Sequence, residues 1–425
     1  MIKLRVRFMK LSKNIFFLTI FFVYSNILLA QSGLSNARSM AMGGAYTAVA
    51  RGVESPRWNP ANLALSGKKV YRLNLVSLGL GLYNNSFTKN DYDLYNGKYL
   101  TVEDKQIILG NIPSSGLRFN FNSEVQALGI SFGHIAITAS ARAASDFTVP
   151  RDAVELLLNG NEFNRLYNIK TTRGEAWGIT SVAISLGFPL SVPLFKEFTV
   201  GGSFKYLRGL GYAKVVEAES NFITTIDGME GSGRVVIDYA QGGNGIGVDF
   251  GAAAKLNEKW TLSVGIRNFL NYVNWQNETK RFIYNFQADS ITAERLQEND
   301  FDSLFVDSDE TLPIDPFTTT IPGELTIGIA KVTDDFVFAA DWIQGIKERA
   351  GASTRPRLAL GTELRILSIL PIRAGFSFGG KRGFSSSAGF GLDFNVFSWD
   401  FAISSQGGLF NSRGLGAAFD WMFRL

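Results

Sequence analysis

Few side chains in this sequence have the chemistry of a catalytic or metal-binding site. Its 425 residues include no cysteine and one histidine, His134. This excludes a cysteine nucleophile, a disulfide scaffold, a thiolate metal site and a multi-histidine zinc or iron centre. His134 follows Gly133 in a predicted turn, where a histidine is usually a solvated surface residue. We therefore predict no catalytic residue, no metal and no enzyme.

A glycine-rich stretch, Gly243-Asn244-Gly245-Ile246-Gly247, superficially resembles a nucleotide-binding loop. Such a loop must open a helix whose first N–H groups point at the phosphates. Here Val248 and Phe250 continue an alternating pattern instead. We interpret the glycines as a kink in one long strand and predict no cofactor.

Acidic residues concentrate in segment 289–322, which contains Asp300, Asp302, Asp307, Asp309 and Glu310. Their spacing does not fit a calcium-binding loop, which needs a central glycine and a terminal bidentate glutamate. We interpret the segment as a solvated outer loop. A loop that binds divalent cations or lipopolysaccharide is the alternative.

The formal charge of +4 comes from the first thirty residues, which hold five Lys/Arg and no acid. Of the 42 basic residues, 37 remain against 38 acids in the rest of the chain. Nucleic-acid binding needs a clustered excess of base, so we predict no nucleic-acid partner.

The basic stretch 1–14 precedes an apolar run, 15–30, that ends in Leu28-Leu29-Ala30. This run is shorter than the ~20 residues of a membrane-spanning helix, and a small residue occupies the cleavage position. Residues 1–30 are therefore predicted to be a cleaved secretory signal peptide, with an uncleaved anchor as the alternative. Because no later segment offers ~20 uninterrupted apolar residues, any membrane residence must be as a β-barrel.

The rest of the chain alternates between apolar and polar residues. The C-terminal residues show this most clearly, with one apolar face formed by Ala417, Phe419, Trp421, Phe423 and Leu425. Similar alternation recurs in 260–267, 336–342, 358–366 and 372–378. A soluble sandwich would turn the apolar face inward, and a membrane barrel would turn it outward. Aromatic residues at the ends of the apolar faces, together with charges on the polar faces, favour the barrel.

Counting strands against turns predicts a closed antiparallel transmembrane β-barrel, all-β, with about fourteen strands. The predicted strands are 69–83, 116–131, 135–147, 174–188, 197–226, 234–255, 259–288, 323–332, 335–345, 356–366, 371–379, 384–394, 397–404 and 414–425. An even number, with mostly alternating short turns and long loops, is typical of bacterial outer-membrane barrels and places both termini in the periplasm. The hairpins at 197–255 should project beyond the bilayer. Segment 150–168 starts at Pro150 and predicts a short helix that stops at Asn159-Gly160.

The segment before the first strand does not alternate. It is rich in small residues, including Gly43, Gly44 and Ala45, and contains the turn-forming sequence Trp58-Asn59-Pro60-Ala61. Such a segment can pack densely in a narrow space. We therefore predict three parts: the signal peptide, an N-terminal hatch at 31–68 inside the lumen, and the barrel at 69–425.

Residues 36–65 closely resemble the N-terminal signature of the FadL-type outer-membrane barrels, the long-chain fatty-acid transporter family. They also resemble its Bacteroidetes relatives, which are similar to PorV and PorQ of the type IX secretion pathway. The resemblance implies a hatch that plugs a fourteen-stranded barrel, with Asn59, Pro60 and Ala61 in the hatch turn and Gly43 and Gly44 in its entry. Asn62 stands where many relatives have glycine. The hatch residues could also serve only to fold the plug.

Two functions remain open. The first is passage or binding of small hydrophobic molecules such as fatty acids. The second is a partner-binding or type IX secretion-like accessory barrel that grips another protein with its long outer hairpins. Outer-membrane lipid and lipopolysaccharide are predicted partners in either case, as is the barrel-assembly machinery through the C-terminal strand at Phe419, Trp421, Phe423 and Leu425.

Overall fold

The computed structural model describes residues 36–65, 72–292, 294–295, 304–394, 396–408 and 411–424. Outside the described residues lie the predicted signal peptide, both ends of the predicted hatch at 31–35 and 66–68, the start of the first predicted strand at 69–71, and Leu425.

Strands dominate the described part of the chain. They are β1 (Arg72–Asn84), β2 (Leu117–Phe132), β3 (Ile135–Val149), β4 (Arg173–Leu190), β5 (Glu197–Thr225), β6 (Gly228–Lys255), β7 (Trp260–Ile291), β8 (Phe305–Pro313), β9 (Phe317–Thr319), β10 (Glu324–Val332), β11 (Phe336–Gly345), β12 (Arg357–Leu367), β13 (Leu370–Gly379), β14 (Ser385–Asp393), β15 (Phe397–Gln406) and β16 (Gly414–Arg424).

Fourteen of these strands form a closed ring. Strands β1 to β7 and β10 to β16 each pair antiparallel with their chain neighbours. Pairing of β16 with β1 and of β10 with β7 closes the ring, in registers such as Phe419↔Leu78 and Ile327↔Val264. The predicted fourteen-stranded antiparallel barrel is confirmed.

The burial of the side chains is inverted relative to a soluble protein. On β12 and β13 the exposed residues are apolar, with Leu364 and Phe376 each 48% exposed. The charged residues of the same strands face inward, and Glu363 and Arg373 are 1% and 4% exposed. A soluble sandwich would bury the apolar face, whereas a transmembrane barrel turns it toward lipid.

Three strands are far longer than a membrane requires. β5, β6 and β7 contain 29, 28 and 32 residues, whereas about 9–11 tilted residues cross a bilayer. At roughly 3.3 Å per residue they extend about 90–105 Å, so their ends project beyond the barrel as predicted. The connection between β5 and β6 is residues 226–227, shorter than the predicted loop at 227–233.

The acidic segment 289–322 is not simply a loop, and that prediction was wrong. Residues 305–313 form β8, which pairs with β7 from Lys280↔Pro313 to Ala288↔Phe305, and β9 pairs with β7 near Trp275. Asp307, Asp309 and Glu310 lie in β8, while Asp300 and Asp302 lie outside the described residues. The sequence of β8 lacks the alternation of apolar and polar residues that predicts a strand, because neither of its faces is buried. Among the described residues, no group of three or more acidic or histidine side chains could hold a metal ion.

The described helices are short, and three of them lie in the long loops at one end of the barrel. The predicted helix is confirmed as Arg151–Asn159, bounded by Pro150 and by Gly160 at φ 79°. Two helices were missed in the first long loop, Lys89–Tyr95 and Val102–Gly110, and both begin with a Thr–Asp capping box. No described helix is long and apolar enough to cross a membrane.

The N-terminal segment, residues 36–65, is enclosed by the ring of strands. It contains the helices α1 (Ala37–Ala41) and α2 (Ser55–Trp58) and the 3₁₀ turns Gly52–Glu54 and Pro60–Leu63. None of its side chains is exposed. It lies against every one of the fourteen barrel strands.

Inward-facing glycines make room for this segment. A β-carbon on Gly201 would lie 2.5 Å from the backbone nitrogen of Ala61, and one on Gly265 would lie 2.5 Å from the carbonyl oxygen of Trp58. These distances are shorter than any van der Waals contact. Nine strands each present one such glycine to the segment: Gly129, Gly187, Gly201, Gly251, Gly265, Gly328, Gly361, Gly375 and Gly389.

We predict that Gly201→Ala will destabilise the seating of the N-terminal segment by about 1–3 kcal/mol, the usual range for overpacking. Gly202→Ala is the matched control, because its β-carbon would face outward and meet nothing closer than 3.4 Å. The measurement is the thermal midpoint at which the purified barrel loses its compact electrophoretic mobility. Equal midpoints for the two variants would contradict the prediction.

Candidate functional site

Asn59 fastens the N-terminal segment to the barrel wall. Its amide nitrogen has three acceptors within 3.1 Å, the carbonyls of Ala252 and Val264 and the hydroxyl of Ser263. Its amide oxygen accepts from the Ala61 backbone at 2.9 Å and caps the turn that starts at Pro60. The residue is fully buried. These contacts occupy both ends of its amide, so Asn59 folds the segment rather than presenting a free group to a ligand.

Asn62 completes this turn from within. Its amide nitrogen donates to the carbonyl of Thr47 at 2.8 Å and to that of Ala50 at 3.2 Å. Ser263 donates to its amide oxygen at 3.2 Å. Ser263 therefore connects the two asparagines, and Asn62 closes the segment upon itself.

Trp58 packs in the apolar part of the same site. Its ring meets Tyr46 edge-on at a centroid distance of 5.0 Å, and the Arg57 guanidinium lies over its face at 4.9 Å. Tyr46 and Trp58 share a buried cluster with wall residues that include Val337 and Ile343. The tryptophan is an anchor of the segment.

Gly43 and Gly44 lie in the tightest part of the segment. Both adopt positive φ, 67° and 91°, a conformation that costs little only for glycine. The Gly43 N–H donates to Ser387 at 3.0 Å, and a β-carbon there would lie 2.6 Å from the Phe376 carbonyl oxygen. The backbone geometry therefore requires glycine at both positions.

All six predicted hatch residues lie in this one buried segment: Gly43, Gly44, Trp58, Asn59, Pro60 and Ala61.

Two buried carboxylates on the wall accept backbone N–H groups of the segment. Asp341 accepts from Tyr46 at 2.9 Å and from Thr47 at 2.8 Å. Asp420 accepts from Ala37 at 2.7 Å, at the start of α1. Charged acceptors make stronger hydrogen bonds than neutral ones, so each carboxylate fixes one part of the segment.

A third buried carboxylate on the wall accepts hydrogen bonds from three arginines. Glu363 accepts from Arg38 of the segment at 2.7 and 3.0 Å. It also accepts from Arg373 at 2.7 Å and from Arg365 at 2.8 Å. Arg373 continues to Asp400 at 2.5 Å. This network joins α1 to the barrel strands β12, β13 and β15.

Residues 317–321, 346–353 and 380–383, here called the cap, fold across the mouth at the long-loop end. Arg349 donates to Glu175 at 2.7 Å, and the Ala350 N–H donates to the same carboxylate at 2.9 Å. Lys381, in the turn between β13 and β14, donates to Asp146 of β3 at 2.7 Å, and β3 lies five strands from β14 in the ring of fourteen. Burial lowers the pKa of Arg349, but the hydrogen bonds and charge of Glu175 outweigh it and leave that pKa raised.

Aromatic side chains lie beneath the cap. Tyr212 is 5.7 Å from Trp275 and 5.6 Å from Phe317 between ring centroids. Trp177 donates to the Ala350 carbonyl at 3.0 Å, and Trp275 donates to Thr319 at 2.8 Å. These rings, with Ile321, form a buried apolar cluster inside the barrel.

The remaining predicted residues lie apart from this site. Phe419, Trp421 and Phe423 are on β16 and pack against aromatic rings of β15, such as Phe401 at 5.0 Å from Phe419. His134 lies in the short turn between β2 and β3, and its carbonyl accepts from the Gly187 N–H at 2.9 Å. Gly243–Gly247 lie in β6, in a strand as predicted, just after Gly242 at φ 66°.

Sequence reasoning missed the wall residues that receive the segment. The alternation predicts Asp341, Glu363 and Asp420 only as polar positions, and the sequence analysis predicts a kink only at Gly243–Gly247. A usable signal was present: inward positions of most strands carry one glycine. The cap could not be found, because its contacts join residues more than 170 positions apart.

We predict that Asn59→Ala will lower the stability of the seated segment by about 2–3 kcal/mol, since it removes several hydrogen bonds of roughly 1 kcal/mol each. Asn59→Asp should be worse, because its carboxylate would face two carbonyl oxygens. The measurement is the rate of trypsin cleavage at Arg51 and Arg57 in the detergent-solubilised protein. Asn96→Asp, on an exposed outer loop, is the control, and unchanged cleavage of the Asn59 variants would refute the role of this side chain.

Solved structures share this architecture. The Ralstonia pickettii toluene transporter TbuX is 14% identical, with 93% of this chain and 99% of that chain covered and a TM-score of 0.50. A Pseudomonas aeruginosa FadL homologue is 12% identical, with 93% and 99% covered and a TM-score of 0.51. Identities this low establish the fold alone, which is that of the FadL-type outer-membrane barrels.

No curated protein has a detectably similar sequence. One family model matches the chain in two overlapping parts, residues 60–240 and 225–402, which together cover most of its length. The chain therefore belongs to the family of unknown function DUF5723.

Proposed function

We propose that this protein is an outer-membrane channel that passes or binds small hydrophobic molecules, with the N-terminal segment as its hatch. The observation that carries the proposal is a membrane barrel whose lumen is filled by the N-terminal segment of its own chain. The likeness in fold to a toluene transporter supports it. In the orientation we propose, residues 1–30 are a cleaved signal peptide, both termini are periplasmic and the cap faces outward.

The hatch contacts suit a part that must leave its site. Much of the attachment consists of hydrogen bonds and ion pairs, at Asn59, Asp341, Asp420 and Glu363. Water can replace such contacts when the segment moves, so the net contribution of each is modest. Water cannot replace apolar contacts in this way, so a segment held by apolar contacts alone would lack this compensation when it moves.

The cap supplies the outer closure. Its Glu175 carboxylate accepts from Arg349, Ala350 and Tyr212, the last at 3.2 Å. Apolar molecules that displace the cap would meet Trp177, Tyr212 and Trp275 directly below. We propose this aromatic cluster as the entry site and leave the choice between fatty acids and aromatic hydrocarbons to experiment.

We predict that Glu175→Gln will speed uptake of hydrophobic probes into liposomes that contain the protein. Loss of a charged acceptor with several donors costs about 1–3 kcal/mol, which raises the open population of the cap roughly 5- to 150-fold. Uptake of radiolabelled toluene and of oleate should be measured separately. The arm that responds identifies the chemical class of the passenger.

Glu217→Gln is the matched control, because Glu217 pairs with Arg234 on the exposed hairpin at 3.2 Å, away from the mouth. It should leave uptake unchanged. If liposomes with wild-type protein and with Glu175→Gln take up neither probe faster than empty liposomes, the transport proposal fails.

A second candidate function is binding of another protein by the projecting hairpins. Apolar side chains are exposed at their tip, with Ile226 88%, Phe163 63% and Leu166 53% exposed. They are neighbours, because Phe163 bridges to Thr224 and Tyr167 pairs with Phe222. Exposed apolar groups outside the membrane are typical of interaction surfaces.

If this second function holds, native mass spectrometry of the gently extracted protein should find a second chain in stoichiometric amount. Phe163→Ser combined with Ile226→Ser should abolish that complex while the barrel still folds. Leu312→Ser, on the exposed strand β8, is the control. A complex that survives the double substitution, or the absence of any second chain, would argue against this candidate.

A further inference from the structure

A polar cavity opens at the short-turn end of the barrel, on the underside of the N-terminal segment. It has a volume of about 40 Å³. This is room for roughly three water molecules, or for the oxygen atoms of one carboxylate or phosphate group. Segment residues Arg38 and Glu54 form its inner wall. The ends of β1, β12–β16 form the rest.

Basic residues outnumber acidic ones around the cavity. Five arginines line it: Arg38, Arg72, Arg365, Arg373 and Arg424. Four acids line it: Glu54, Glu363, Asp393 and Asp400. Most of these charges pair among themselves, since Glu363 takes three arginines, Asp400 takes Arg373, and Asp393 takes Arg424 at 2.7 Å.

Arg72 is the exception. Its guanidinium makes no ion pair with any residue that the structure describes, and its hydrogen bond goes to the carbonyl of Arg51 at 3.3 Å. Its stem passes close to Gly52, where a β-carbon would lie 2.7 Å from Cδ, so the side chain is confined. A confined, unpaired cation beside a cavity is costly unless an anion joins it.

Ser398 offers a second donor in the same cavity. It is 3% exposed, faces inward on β15, and its hydroxyl has no hydrogen-bond partner within the described part of the chain. Buried hydroxyls are nearly always bonded to protein or to water. Glu54 on the opposite side accepts from Asn36 at 2.7 Å and from Tyr46 at 2.9 Å, both through Oε1.

We propose that this cavity is a binding site for a single oxyanion, a carboxylate or a phosphate group, held by the Arg72 guanidinium and the Ser398 hydroxyl. The bound group would touch the wall beside Arg38 and Glu54 and so stabilise the seated N-terminal segment from below. Its source is either a free anion of the surrounding solution or the head group of an amphiphile. The site stands independently of the transport proposal, because it requires only the geometry of the closed barrel.

The test is thermal unfolding of the detergent-solubilised protein, titrated with sodium phosphate and with sodium chloride at matched ionic strength. Phosphate should raise the unfolding midpoint saturably, by a few degrees more than chloride. Arg72→Gln and Ser398→Ala should each weaken the apparent phosphate affinity, the former at least tenfold. Arg234→Gln, on the exposed hairpin, should behave like the wild type.

Sodium acetate and decyl phosphate form the remaining arms. Decyl phosphate that binds much more tightly than phosphate, in a manner that depends on Arg72, identifies the head group of an amphiphile. Equal affinities identify a free oxyanion. If phosphate and chloride act alike on the wild type, or if Ser398→Ala and Arg72→Gln retain the full response, the site does not exist. Should Arg72→Gln fail to fold, Ser398→Ala and Arg72→Lys decide the question.

Discussion

A chain segment can occupy the interior of a fourteen-stranded barrel only if the wall leaves room for its backbone and bonds its peptide groups. This constraint explains both the inward glycines and the inward carboxylates. Gly201 and Gly265 let the backbone approach to distances that any side chain would prevent. Asp341 and Asp420 then accept N–H groups that would otherwise be buried without partners. The inner surface of the wall therefore matches the N-terminal segment in both shape and hydrogen-bonding groups, while the outer surface faces lipid.

Much of the barrel could be predicted because its strands cross a boundary between two solvents. Outward side chains must be apolar and inward ones polar, so strands such as β12, β13 and β16 can be recognised from the alternation of apolar and polar residues. Strand β8 lacks the pattern because both of its faces meet water, and it was mistaken for a loop. The helix Arg151–Asn159 was found because Pro150 and Gly160 mark its ends, which are local signals.

The candidate site could be predicted only in part, because its two halves depend on contacts of different range. Trp58-Asn59-Pro60-Ala61 forms a local turn, and the sequence indicated it. The partners of that turn, Ala252 and Val264, lie about two hundred positions away, and nothing in the alternation singles them out. The sequence predicts a bend only at Gly243–Gly247, and it assigns no role to the inward glycines. Their recurrence on nine strands points instead to a shared neighbour.

The two closures of the barrel share a continuous set of contacts. Arg57 of the N-terminal segment and Arg142 of β3 both pair with Glu124, which is buried. Arg142 lies over the ring of Trp177 at 5.9 Å, and Trp177 holds the cap through Ala350. If the segment leaves as proposed, Glu124 would lose one of its two cations and keep Arg142 alone. Arg142 would then be drawn toward Glu124, which would alter its contact with Trp177. The proposed opening at one end would therefore weaken or strengthen the contacts that hold the cap at the other end.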